Sequence, residues 1–210
     1  MVLNFTNKIA KNDIFNSGII RRSGGDFEEN HYEGEIEVPG PPGSTGSTAW
    51  TYPGTTASDG TYGTFAWADP NNAQASDDAN ASFTSNALNS SEYLKCTNFS
   101  FSLPTGVTIT GIEIKIERTA DFVDEVKDDV IKLVIGGSVV GNSLAVENSW
   151  NTTEENFTYG DQSNLWGNSI SKAQVESADF GVVLSAAIYA GGGTNTPLVD
   201  SVAIKVYYST

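Results

Sequence analysis

One histidine and one cysteine occur in 210 residues. Zinc sites built from several such ligands are excluded by count. A serine triad or a cysteine–histidine pair would have to use His31, which lies in a polar N-terminal stretch, a poor place to pre-organise a base. Cys96 is alone, forms no intrachain disulfide, and reads as a small buried apolar residue. Basic residues are also scarce: 11 Lys and Arg stand against 26 Asp and Glu, a net charge of −15. That balance argues against nucleic acid as a partner, since phosphate binding needs clustered Lys and Arg. It argues equally against an anionic membrane surface. No run approaches the roughly 18 apolar residues of a membrane span. No apolar segment follows the first lysines as it does in a secretory signal. The chain is expected to be made and folded in a cytoplasm. Carboxylates are abundant, so a pair suited to glycoside hydrolysis carries no signal. With no convergent catalytic set, the expectation is a protein that is not an enzyme and, calcium aside, has no cofactor.

What is present is β-strand alternation. Residues 107–117 read Val-Thr-Ile-Thr-Gly-Ile-Glu-Ile-Lys-Ile-Glu, and from Gly111 every second residue is isoleucine with charged residues between. That period places one face in a core and one in water. At the chain's end Leu198, Val202, Ile204, Val206 and Tyr208 share one parity, with Ser201, Ala203, Lys205 and Tyr207 on the other. Further strands are expected over Glu92–Leu103, Val130–Ile135, Glu155–Tyr159 and Phe180–Tyr189. Gly136-Gly137 makes a two-residue turn into Ser138–Val140, and Ser171–Ser177 makes a short helical turn. Short strands separated by polar, glycine-rich turns give an all-β chain: a single antiparallel β-sandwich, jelly-roll-like.

The first 48 residues differ. They hold four basic and seven acidic residues and scattered apolar positions of no clear period. They are expected to form an extended N-terminal arm that gains order on a partner. The stretch Gly40-Pro-Pro-Gly43-Ser-Thr-Gly46-Ser-Thr reads either as three collagen-like triplets joining chains or as a Pro/Gly/Ser linker. The division is thus arm and linker over 1–48 and sandwich over 49–210.

Asp200 shares the parity of Val202, Ile204 and Val206, and a carboxylate on a core-facing position needs a partner. Calcium is one such partner, with Asp59 and the Asp77-Asp78 pair as co-ligands. The alternative is that Asp200 sits at the rim of the sandwich and accepts backbone N–H groups from a loop. Asp124-Glu125 and Asp128-Asp129 read as a solvated acidic loop. Two aromatic groups stand out: Trp50, Tyr52, Tyr62, Phe65 and Trp67, then Trp150, Tyr159 and Trp166. Exposed on a sheet face they would stack on sugar rings; buried, they are core.

Longer strings carry a resemblance. They are Trp50-x-Tyr-Pro-Gly-x-x-Ala-x-Asp-Gly-x-Tyr62, Asn98-Phe-Ser-Phe-Ser-Leu-Pro-Thr-Gly106, Ile109-Thr-Gly-Ile-Glu-Ile-Lys-Ile-Glu-Arg118, Leu165-Trp-Gly167, Asp179-Phe-Gly-Val182 and Val199-Asp-Ser-Val-Ala-Ile-Lys-Val-Tyr-Tyr208. Over residues 49–210 the chain resembles a β-sandwich module of tailed-bacteriophage virions, found in head decoration, fibre and tail-associated proteins. The resemblance implies a virion component and brings no catalytic residues. It does not say which component; the leading expectation is a capsid decoration (cement) protein, attached by its arm to the major capsid protein or other virion proteins and forming a homotrimer. The alternative it leaves is a carbohydrate- or receptor-binding module of a fibre or tail tip, with a host surface glycan as partner.

Overall fold

The computed structural model describes residues 43–191 and 193–210, so the first 42 residues of the expected arm and linker over 1–48, with His31, lie outside the described residues. Among the described residues eleven strands form two antiparallel sheets. The first carries β1 (Thr45–Ser47), β11 (Pro197–Ser209), β6 (Thr108–Ala120) and β9 (Glu155–Gly160) in that order, with β3 (Ala81–Ser82) paired to β11. The second carries β2 (Thr55–Asp59), β5 (Tyr93–Thr97), β10 (Gly181–Ile188), β7 (Val126–Ile135) and β8 (Ser138–Val140), with β4 (Asn89–Ser90) on β10. A 3₁₀ turn over Pro70–Ala73 and a single-turn helix α1 (Lys172–Val175) complete the fold. The helix is closed by a capping box in which Ser171 and Gln174 satisfy each other's backbone N–H groups. No described helix is long and apolar enough to cross a membrane.

The isoleucine alternation does what its period requires. Ile112, Ile114 and Ile116 are wholly buried, and Ile116 and Ile114 stand opposite Val202 and Ile204 of β11. Across the sandwich they meet Leu94, Ile131, Leu133 and Leu184 in one continuous core. Each such side chain contributes roughly 1.5–3 kcal/mol by leaving water. Gly136 and Gly137, both at positive φ, turn β7 into β8 as their sequence suggests.

Three expectations change. The strand expected over Glu92–Leu103 stops at Thr97, because Asn98 and Ser100 adopt positive φ and break the extended path. Phe99 and Phe101 still reach the core, stacked at 5.9 Å. The end of the linker is sandwich: Thr45–Ser47 pairs with β11, and Gly46 of the third triplet lies extended against the Tyr208 ring. Asp128 and Asp129 are not a solvated loop. Both lie in β7, and Asp128 is buried, because its partner is an arginine on the facing sheet.

Candidate functional site

The buried polar centre comes first because it defines what is sealed. Arg118 continues the isoleucine parity of β6 and therefore points inward; Asp128 points inward from β7. Both side chains are wholly buried and form an ion pair between the two sheets. Asp128 also accepts from Trp150 Nε1 at 2.8 Å, Tyr159 Oη at 2.9 Å and the Val146 backbone N–H at 3.2 Å. The guanidinium lies over the rings of Phe157 (4.4 Å), Trp150 (5.0 Å) and Tyr159 (5.9 Å). Its Nε and Nη2 have no hydrogen-bond partner among the described residues, so the ring faces take their place. A closed set of this kind clamps the sheets and offers nothing to a ligand.

The predicted aromatic groups divide accordingly. Trp150, Tyr159, Trp166 and Trp67 are core. Trp50, Tyr52, Tyr62 and Phe65 are half-buried. Tyr62 stacks on Tyr93 at 4.7 Å on the second sheet and donates to Asp129 Oδ2 at 2.7 Å.

The two expected calcium ligands are not brought together. Asp59 lies in β2 of the second sheet, paired with Lys95 at 3.3 Å and accepting the Thr61 N–H at 3.0 Å. Its carboxyl is held below the ordinary value, first by its contact with Thr61. Asp200 lies in β11 of the first sheet, at the point where the register slips between Val199 and Ser201. The extra residue of that bulge resets the alternation. Asp200 therefore leaves the parity of Val202 and accepts the Asp77 N–H at 3.3 Å, the rim arrangement set out above as the alternative. It is 1% exposed. Burial, with Glu117 and Glu154 nearby, pushes its carboxyl up to about 6. Burial also acts to raise Glu117, but hydrogen bonds from Ser76 at 2.6 Å and Ser201 at 3.0 Å outweigh it and hold that carboxyl low. Among the described residues no group of three or more His, Cys, Asp or Glu is arranged to hold a metal ion.

A concave surface lies on the first sheet. A recess of about 500 Å³ is lined by Tyr207, Tyr208, Gly46, Thr110, Gln162 and Ser163, and it continues over Glu113 and Asp161. Two glycines shape it. A Cβ at Gly111 would stand 2.3 Å from the Asp161 carbonyl oxygen, so only glycine lets that loop lie down on β6. A Cβ at Gly46 would stand 2.7 Å from the Tyr208 ring. Tyr207 donates to Glu113 Oε2 at 2.7 Å, and chiefly for that reason its phenol is pushed up to about 12. The phenol thus stays protonated and fixed. Asp161 accepts both the backbone N–H and the hydroxyl of Ser163 at 2.7 Å, which hold its carboxyl low and rigidify the loop.

One strand step along β11 from Tyr207, on the same face, lies Lys205. Its Nζ stands 4.4 Å from the centroid of the Trp50 ring, and Lys115 Nζ of β6 stands 5.3 Å from it. Thr51 exchanges both backbone hydrogen bonds with Ile204, which fixes Trp50 at this edge of the sheet. The recess, the two lysines and the indole thus form one strip along the sheet. An amphipathic ring floor with an amide, and with a hydroxyl and a carboxylate held by hydrogen bonds beside it, suits a polyhydroxylated ligand: a ring face against Tyr207, hydroxyls onto Gln162 and Glu113. The sequence marked Trp50 but not Tyr207 as a ligand contact, although the alternation of β11 put Tyr207 and Lys205 on the outer parity. Nothing in the sequence marked Gln162, which enters through a loop.

No protein-family model matches the chain, and no curated protein does. Among solved structures, the protein described as "CBM4 structure and function" aligns at a TM-score of 0.34 and 13% identity, over 74% of this chain and 92% of that one. A second, "BiXyn10A CBM1 APO", aligns at a TM-score of 0.32 and 8% identity, over 79% and 92%. Identity at this level carries no residue from those proteins to this chain.

Proposed function

We propose that this chain is a non-catalytic carbohydrate-binding β-sandwich that works on a bacteriophage fibre or tail tip, with the recess at Tyr207 as its glycan site. The observation that carries the binding reading is the recess itself: an open concavity on a rigid sheet face, floored by Tyr207, with Ser163 and Glu113 held in place around it and Gln162 beside them. The virion setting rests on the sequence resemblance over residues 49–210. Affinity electrophoresis of the full chain through gels containing soluble polysaccharides tests the site. At least one polysaccharide retards the protein, and Tyr207→Ala removes that retardation while leaving the melting curve within a few degrees. A panel with no retardation, or a Tyr207→Ala protein retarded like the parent, rejects it.

A second reading is supported by the same resemblance together with the compositional break at Gly40–Thr48. The chain is then a capsid decoration protein, its residues 1–48 bound to the major capsid protein and its acidic sandwiches grouped as a trimer. Copy number separates the readings. Densitometry of purified virions finds a decoration protein among the most abundant chains and a fibre or tip protein among the scarcest.

A further inference from the structure

The sandwich is poor in cations, and the way it spends them is uneven. Among the described residues, Lys95, Arg118, Lys127 and Lys172 each sit in an ion pair with Asp or Glu. Lys115 and Lys205, like Lys132, have no carboxylate within ion-pair distance among the described residues, although the charge of Lys115 acts on Glu117, Lys205 stands opposite Glu113, and acidic side chains outnumber basic ones more than twofold in the sequence. Instead both ammonium groups converge on one indole, that of Trp50, from β6 and β11. Two like charges brought to one ring repel each other, and the ring quadrupole offsets only part of that cost at an exposed site. An anion arriving between them relieves the repulsion.

The location gives the anion its context. Lys205 precedes Tyr207 by two residues on the outward face of β11, so the ammonium groups adjoin the end of the recess. The recess has carboxylates of its own, Glu113 and Asp161, but Glu113 is engaged by Tyr207 and Asp161 by Ser163. A ligand lying along the strip meets a ring floor and hydroxyl partners first, and two cations next.

We propose that Lys115 and Lys205, fixed by Trp50, read the carboxylate of an acidic sugar, so that the ligand of this groove is a uronic-acid polysaccharide. This rests on the glycan reading of the Tyr207 recess and assigns its ligand class. The lysines act as point charges on flexible stems. They set a preference for the charged sugar, while Tyr207 supplies binding common to charged and neutral forms.

The test compares each acid with its own neutral form. Polygalacturonate, alginate and hyaluronan, each beside its methyl ester, and the neutral polymers xylan and hydroxyethylcellulose are offered to the full chain at low salt. At least one acid binds at least tenfold more tightly than its ester, and the difference closes as salt rises. The double variant Lys115→Gln/Lys205→Gln loses the difference and keeps the ester's affinity. Lys115→Arg/Lys205→Arg retains the difference, which a merely structural role for the lysine stems would not require of the charge. Tyr207→Ala weakens acid and ester alike. Equal binding of every acid and ester, binding confined to the neutral polymers, or a difference that survives in the double Gln variant overturns the inference and leaves the recess as a glycan site. No binding to any polymer overturns the recess reading, and this inference with it.

Discussion

Among the described residues cations lie over aromatic rings at three places; Lys127 over Tyr189 is paired with Glu147, and the other two differ in what is left over. Between the sheets, Arg118 lies against Phe157, Trp150 and Tyr159 and is paired with Asp128, with every member at or near zero exposure apart from the half-buried Phe157. On the outer face, Lys205 and Lys115 lie against a half-buried Trp50 and have no carboxylate within ion-pair distance among the described residues. The contact type is the same. In the interior the charge is satisfied by the chain itself, because an unpaired charge there would cost several kcal/mol. On the face, water lowers that cost, so the chain leaves the charges open to a partner. Burial, not residue type, separates a closed clamp from an open charged face.

The interior half of that contrast is the easier to break. Arg118→Met leaves Asp128 buried without its counter-charge and lowers unfolding free energy by about 3–5 kcal/mol, read as a shift of the urea midpoint. Arg118→Met/Asp128→Asn recovers part of that loss, since the buried charge goes while the amide oxygen still accepts from Trp150, Tyr159 and Val146. If the double variant is as unstable as the single one, the centre is held by packing of the arginine stem and not by charge. On the outer face, Tyr207→Ala gives the reverse result: at least tenfold weaker glycan binding and a stability change of about 1 kcal/mol or less, as for a half-exposed side chain.

Asp200 lies between the two cases, buried but close to the outer face. Its carboxyl titrates near 6 in the fold against an ordinary 3.8. The folded protein therefore binds this proton more tightly than the unfolded chain, and the stabilisation it gives is present at low pH and lost as pH rises through about 6. Acidification from pH 7.5 to 5 adds about 1–2 kcal/mol from this group, roughly 3–6 °C in melting temperature. Glu117, held below its ordinary 4.5, opposes this only at lower pH. Asp200→Asn raises the melting temperature at pH 7.5 and removes the gain on acidification. The smallest effect is expected at Tyr62→Phe on the second sheet. It loses the hydrogen bond to Asp129, costs about 0.5–1.5 kcal/mol, and leaves glycan affinity unchanged; a binding loss there would move the site to the other face.

These differences also mark what the sequence could tell. The alternation in β6 and β11 announced two paired strands of a sandwich because burial of one face repeats every second residue. It failed at Asp200, since a bulge adds one residue and the parity rule has no way to see it. Asp128 was misread because local sequence shows only neighbouring acids, while its partner Arg118 lies across the core. A signal was available: Arg118 falls on the isoleucine parity, and an arginine there demands an inward carboxylate. Trp50 was legible as an aromatic but not as the meeting point of two lysines, because that depends on the pairing of Thr51 with Ile204. The recess needed Gln162 from a loop, whose place is set by tertiary contact alone.

The pairing of β1 with β11 has a mechanical side. Ser44 and Thr210 are joined by backbone and hydroxyl hydrogen bonds, and Gly46 and Ser47 follow directly as part of the recess wall. Tension transmitted along the chain from residue 43 therefore reaches the Tyr207 recess before it reaches any other part of the sandwich. Pulling along the strand axis loads these bonds together; pulling sideways opens them one at a time and lifts the wall from Tyr207 and Tyr208. Grip on a ligand in this recess is thus coupled to the direction of load, and a single-molecule pull through residue 43 measures it as a ligand lifetime that changes with the angle of the force.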